Sequence, residues 1–236
     1  MIPDKADPQA TARAARQLLR AHRYGALGTL SKKFDGHPFG SITPYLVDHD
    51  GSLLILISAL AEHTKNIRHD PRVSLITHNQ EDAHIQAQGR ITVIGTASLV
   101  AEREQAGKRF LRYFPEAQTC FDMGDFAFYR IAPLMLRYIG GFGDIHWVKA
   151  DRYQPPDTPL GMEEDTLLDK VNAARPAAQG VVIGIDCDGY DLRLDERTLR
   201  RSFPVPASDA AHALVMLAGQ PAGKPGPQQR PVRPPD

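Results

Sequence analysis

The sequence predicts a mainly β fold with flanking helices, an antiparallel barrel followed by a small α+β domain, and three observations carry that prediction. Short apolar runs, alternating or continuous, recur through the first 150 residues and are joined by turn-length polar pieces. Helical spacing is confined to a few stretches between them. The segment QPPDTP, Gln154 to Pro159, then reads as a linker and separates a second, shorter pattern of helix, hairpin, strand and helix. The expected layout is a barrel over 1–150, a linker over 151–160, an α+β domain over 161–219 and a disordered tail over 220–236.

Taken in order, Asp7 before Pro8 starts a helix, and Ala14, Ala15, Leu18, Leu19 and His22 keep its spacing until Gly25, which predicts an amphipathic cover helix. From Gly25 the period falls to two. Leu27, Thr29 and Ser31 oppose Ala26, Gly28 and Leu30, and Asp35 with Gly36 turns the chain into a strand from Phe39 to Val47. Asp50 and Gly51 mark the next turn, into Leu53 to Ile57, whose unbroken apolar character suits a strand covered on both faces. A short polar helix follows and ends at Asp70 and Pro71, and Val73, Leu75 and Thr77 then alternate with Arg72, Ser74 and Ile76. Asn79 to Ala83 reads as a loop, Ile85 to Val100 as one or two strands interrupted by Gly89, and Glu102 to Tyr113 as a helix closed by Pro115. Phe126 to Ile139 is strand-like and broken near Pro133. Gly140, Gly141 and Gly143 then let the backbone turn or approach a partner closely.

Beyond the linker, Glu163 to Ala174 is helical, Val181 to Ile185 and Tyr190 to Leu194 pair across Asp188 and Gly189, Leu199 to Val205 is a third strand, and Ser208 to Leu217 a last helix. A unit of about 60 residues is marginal alone and gains from packing on the barrel or on a second subunit. The tail PAGKPGPQQRPVRPPD is too rich in proline and glycine to pack.

Bulk properties exclude several classes. Formal net charge is zero over 236 residues, so there is no whole-chain case for nucleic acid, and the longest apolar run falls far short of a membrane span. The start, MIPDKADPQA, lacks the apolar stretch of a secretory signal, so the expected location is cytoplasmic. Cys120 and Cys187 have no paired spacing and read as small hydrophobes in a reducing compartment. There is no G-x-S-x-G elbow, HExxH or Walker loop, and so no basis for a hydrolase or kinase.

The chemistry concentrates after the central strand. A helix that starts there aims unpaired N–H groups and its positive end over the sheet, a ready anion site, and Ser58, His63, Thr64, Lys65 and Asn66 can add hydrogen bonds or charge. Ser41 and Thr43, from a barrel strand, are expected to face the same crevice. The alternative is that this stretch is the solvated face of a connecting helix.

The segment ISALAEHTKNIRHDPRVSL resembles the signature of the haem-utilisation (HugZ-like) branch of the FMN-binding split-barrel superfamily, which includes pyridoxamine 5'-phosphate oxidase. GALGTLS, GHPFGSITPYLV, GRITVIGTASLV and FAFYRIAPLMLRYIGGFG follow in the matching order and extend the resemblance over the first two thirds of the chain. VNAARPAAQGVVIGIDCDGYDL is similar to the small C-terminal domain of the same proteins. The resemblance implies a homodimer whose ligand crevice lies between two barrels, with haem or FMN, a planar tetrapyrrole or a flavin, as ligand. It implies a haem-iron utilisation protein, with oxidative ring opening as a further activity; the rivals are an FMN-dependent oxidoreductase and a non-enzymatic adaptor of tetrapyrrole metabolism.

It also implies a role for Asp125, placed where haem-degrading members carry an aspartate that hydrogen-bonds the axial histidine. The sequence departs from the family in two respects. The oxidases' Ser-x-Lys pair and strand arginine have no clear counterpart, and nothing after His212 is histidine, whereas the haem-degrading members supply their axial ligand near the C-terminus. His146 is the substitute iron ligand, with Trp147 as a surface on which a haem or flavin ring stacks, and Asp144 on the same strand face as His146. Each also reads as an ordinary packed residue. His78 and His84 flank a loop without a third metal ligand at recognisable spacing. No catalytic residue is assigned.

Overall fold

The computed structural model describes residues 7–79, 88–195 and 197–219, without the side chain at 177. Helix α1 (Pro8–Ala21) opens on Asp7, whose carboxylate accepts the Gln9 N–H at 3.0 Å. One antiparallel sheet follows, made of β1 (Tyr24–Leu30), β2 (Pro38–Pro44), β3 (Leu46–Val47), β4 (Leu53–Ser58), β5 (Arg72–His78), β6 (Arg90–Leu99), β7 (Phe126–Gly141) and β8 (Asp144–Lys149). The strand order is β2-β1-β5-β6-β7-β4-β3, with β8 also paired to β7. Its two ends, β2 and β3, are pieces of one stretch separated only by Tyr45. The sheet therefore has to curl until its ends meet, and Tyr45, fully buried with its hydroxyl donated to the Leu19 carbonyl at 2.8 Å, sits at that closure.

β4 pairs with β7 as far as Ile131 and β8 pairs with it from Met135, which leaves the barrel split at 132–134. Near the split lies α5 (Ala150–Tyr153), whose Tyr153 is buried in the barrel core and donates its hydroxyl to the Gly51 carbonyl at 2.9 Å. β7 runs through Pro133 without a break. The register shift between Ile94 and Gly95 absorbs the extra residue, as a bulge does.

The cross-strand register separates two faces. Ser41, Leu27, Leu75, Val93, Leu136 and Val148 are successive neighbours on the inner face, where Leu27, Leu75, Val93 and Leu136 are fully buried. One residue along, Ile42, Ala26, Ile76, Thr92, Arg137 and Trp147 form the matching outer row. Ile42 is 71% exposed there and Trp147 58%.

Helix α2 (Glu62–His69) follows β4 and packs toward β1 and β2, and Ile67 joins the barrel core. Helices α3 (Arg103–Tyr113) and α4 (Gln118–Asp122) cover the outside of β4, where Leu54 and Leu56 meet Phe110, Tyr113, Phe114 and Phe128. Leu53, Ile55 and Ile57 point the other way into the barrel, so β4 is buried on both faces as its unbroken apolar run requires.

The rest comprises α6 (Leu160–Ala173), β9 (Val181–Asp186), β10 (Gly189–Leu194), β11 (Arg197–Ser202) and α7 (Ala210–Ala218), with sheet order β11-β10-β9. Val182, Ile185 and Leu192 pack with Leu167, Leu168 and Val171 of α6, while Ile183 turns toward the α3 cluster. Tyr153 belongs to the first core and Leu160 to the second, so the connection without helix or strand is 154–159. Among the described residues no helix is long and apolar enough to cross a membrane. The expected tail and His84 lie outside the described residues.

Candidate functional site

The turn from β4 into α2 is fastened to the start of β7. Ser58 Oγ donates to Asp125 Oδ2 at 2.6 Å and accepts the Leu60 N–H at 3.1 Å, and the Ala59 N–H donates to the Asp125 carbonyl at 2.6 Å. Asp125 and Ser58 are thus brought together. Leu60 and Met123, each within two residues of this contact, are exposed.

On α2 the polar residues divide between two sides. Asn66 is fully buried; its amide donates to Thr29 Oγ1 and its carbonyl oxygen accepts the Lys32 N–H, both at 2.9 Å, so it ties the helix to the β1–β2 hairpin. Thr64 is fully buried, and its hydroxyl has no hydrogen-bond partner among the described residues. His63 is half-buried, and that burial lowers its imidazole below the ordinary value, which leaves the ring neutral at pH 7. Lys65 is exposed, with Nζ 3.4 Å from Glu62 Oε2. No side chain caps the helix start, and Glu62 sits in its first turn. A carboxylate there opposes a dianionic phosphate, which answers the sequence reading of an anion site unfavourably.

Ser41 and Thr43 do not join this surface. The period-two pattern gave them a common face, but that face is the barrel interior: Ser41 is level with Leu27 and its hydroxyl is buried without a partner among the described residues, and Thr43 is buried with its hydroxyl on the Pro44 carbonyl.

His146 and Trp147 lie elsewhere. His146 pairs with Tyr138 of β7, whereas Ser58 pairs with Phe126; an offset of twelve residues is about 40 Å of strand. Asp144 Oδ1 lies 2.6 Å from His146 Nε2, as expected for residues two apart, and the imidazole stacks on Tyr138. Trp147 projects to the opposite, outer face, under the Arg137 guanidinium at 4.9 Å. One ring face therefore cannot stack on Trp147 and meet His146 of the same subunit, and this corrects the paired role expected for them.

Sequence reasoning missed a buried ionic seam between α1 and the β9–β10 hairpin. Arg16 and Arg20 donate to fully buried Asp188 at 2.7 and 2.8 Å, and Arg13 approaches the same carboxylate at 3.4 Å. Arg20 and Arg200 flank Asp186, and Asp191 takes Arg23, Arg200 and the Tyr113 hydroxyl. Burial alone would raise the Asp186 carboxyl, but Arg20 and Arg200 outweigh it and hold it far below the carboxylate range. A second knot joins Arg109 and Arg112 to Glu164, with His49 Nε2 3.3 Å away. The available signal was the spacing of Arg13, Arg16, Arg20 and Arg23, one helical stripe at intervals of three and four. Asp186, Cys187 and Asp188 come close enough together for a metal, yet both carboxylates are already held by arginines.

Comparison with known proteins places these features. Residues 6–155 match the family described as CREG, beta-barrel. The chain is 38% identical over 228 residues to heme oxygenase HOZ, chloroplastic, of Arabidopsis thaliana, across 86% of this chain and 70% of that protein. It is 29% identical over 127 residues to heme oxygenase HutZ of Vibrio cholerae, across 49% of this chain and 69% of that one. Among solved structures, Atu2129 from Agrobacterium tumefaciens, of unknown function, superposes with a TM-score of 0.77 at 22% identity, covering 93% of this chain and 98% of its own. At that identity the likeness is one of fold.

Proposed function

This chain belongs to the CREG β-barrel family, and from that premise we propose that it is a haem-iron utilisation protein that binds haem in a crevice between the barrels of a homodimer. The supporting observation is the outer row from Ile42 through Ile76 to Trp147, a mainly apolar sheet face, interrupted by Thr92 and Arg137, that the described residues of one subunit leave exposed. Haem fits the residues at the α2 end better than FMN does. Exposed Leu60 and Met123 suit an apolar ring, and Lys65 and Arg68 suit carboxylates spread along its edge, while Glu62 in the first turn disfavours a phosphate seated on the helix start.

When bound, haem supplies iron chemistry with dioxygen, the class of reaction in the names of both relatives. Lys65 and Arg68 would draw the propionates, and His63, neutral and half-buried, would offer a hydrogen bond without added charge. His146 would offer the iron an imidazole, and its contact with Asp144 would hold the ring in place. Its separation from α2 requires the two contributions to one haem to come from different subunits, which ties haem binding to dimerisation.

The test is an absorption titration of the purified chain with haemin and with FMN, alongside sedimentation. The expected result is a Soret shift with haemin on a dimer, and Ile42→Asp, which puts a charge on the outer face, should yield a monomer that binds haemin at least tenfold more weakly. A monomeric wild type without a Soret change refutes the proposal. A yellow protein that binds FMN favours the oxidoreductase.

A further inference from the structure

We propose that His37, on the turn between β1 and β2, is an iron-coordinating imidazole at the α2 end of the barrel. This rests on the haem reading and names an alternative to His146, because two imidazoles would leave the iron no position for dioxygen. His37 Nδ1 lies 2.6 Å from the Phe34 carbonyl oxygen. A carbonyl can only accept, so Nδ1 carries the proton and Nε2 is left with a free lone pair. A ring N–H donated to a backbone carbonyl is the arrangement that orients imidazole ligands.

The turn that holds the ring is fixed by its backbone. Asp35 and Gly36 both take left-handed conformations, at φ 47° and 77°. The His37 N–H also donates to the Phe34 carbonyl at 3.0 Å, and the His37 carbonyl accepts the Ser31 N–H at 2.9 Å. Ser31 Oγ in turn accepts the Phe34 N–H at 3.1 Å.

The surroundings suit the apolar edge of a flat ring. His37 lines an open hollow of about 390 Å³ with Phe34, Phe39 and Pro38 as apolar walls; Lys33, over the Phe34 ring, and Asp35 put one charge of each sign on its lining, and Ser31 completes it. Asn66 joins the hairpin to α2 through the Lys32 N–H, so the hollow lies at the barrel end that carries Lys65 and Arg68. His146 is at the other end of the sheet. His63, at the same end as His37, has no carbonyl or carboxylate contact among the described residues that would fix its tautomer.

Haemin titrations of wild type, His37→Ala and His146→Ala decide the matter, with circular dichroism and sedimentation run on each. His37→Ala should weaken haemin binding at least tenfold and move the Soret maximum, and free imidazole added to that variant should restore the wild-type spectrum. His37→Gln, which keeps a polar side chain on the turn, should behave as His37→Ala does. If His37→Ala folds and matches wild type in affinity and spectrum, the assignment is wrong while haem binding stands. If wild type itself leaves the haemin spectrum unchanged, the haem reading falls and the assignment falls with it.

Discussion

Replacing Asp188 by asparagine should destabilise the whole chain by about 3 kcal/mol, the lower part of the range for breaking a buried ion pair by removing one partner. Asp188 is fully buried and faces three guanidinium groups, two of them within 2.8 Å. Asparagine keeps one acceptor but turns an N–H₂ toward cations. The cost stays at the lower end because each arginine keeps other partners: Arg13 the Phe203 and Pro204 carbonyls, Arg16 the Tyr153 carbonyl, and Arg20 the Asp186 carboxylate and the Asp48 carbonyl. Such a loss is roughly 150-fold in the folding equilibrium. Urea unfolding at pH 7 measures it, followed by circular dichroism and by fluorescence of Trp147, the only tryptophan. A double-mutant cycle with Arg16→Gln should show a coupling of about 1 kcal/mol or more. If Asp188→Asn costs less than about 0.5 kcal/mol at unchanged m-value, the seam is not the structural tie described above.

Three further outcomes follow from the same contacts. Burial alone would raise the Glu164 carboxyl, but Arg109, His49 and Arg112 outweigh it and hold it at about 2, so its folded pKa lies below the unfolded one. Its stabilisation is present above the unfolded pKa and is lost as pH falls toward 2; Glu164→Gln should therefore cost about 3 kcal/mol in urea unfolding at pH 7 and clearly less at pH 3. A methyl added at Gly184 would lie 1.8 Å from the Tyr113 hydroxyl oxygen, which is held on Asp191, so Gly184→Ala should cost about 1–3 kcal/mol by thermal unfolding. Burial pushes the Cys187 thiol up to about 11, so in the native chain a thiol reagent at pH 8 should label half-exposed Cys120 at least tenfold faster, and the two rates should converge in urea.

The barrel was legible because its strands announce themselves locally. Val73, Leu75 and Thr77 alternate with Arg72, Ser74 and Ile76 and are buried in that alternation, and Pro71 stops α2 where the helix ends. Period two does not say which face is inside, and this is why the pattern alone offers Ser41 and Thr43 to a crevice when they point into the core. Pro133 looked like a strand break because its remedy, the register shift at Ile94 and Gly95, lies on the neighbouring strand. The arginine stripe on α1 resembles a solvated helix face as long as its partners are unknown, and those partners are about 170 residues away, as Arg16 and Asp188 are. His37 sits in a Gly-His-Pro turn whose spacing suggests no ligand; its significance comes from a carbonyl three residues earlier.

The far-apart halves of the ionic seam also set an order to biosynthesis. Until the hairpin carrying Asp186, Asp188 and Asp191 has left the ribosome, Arg13, Arg16 and Arg20 of the first helix and Arg23 just beyond it form a bare cationic ridge beside a barrel that is otherwise ready to close. A fragment ending at the 154–159 connection would keep that ridge permanently and would cling to polyanions that the whole chain, with formal charge zero, ignores.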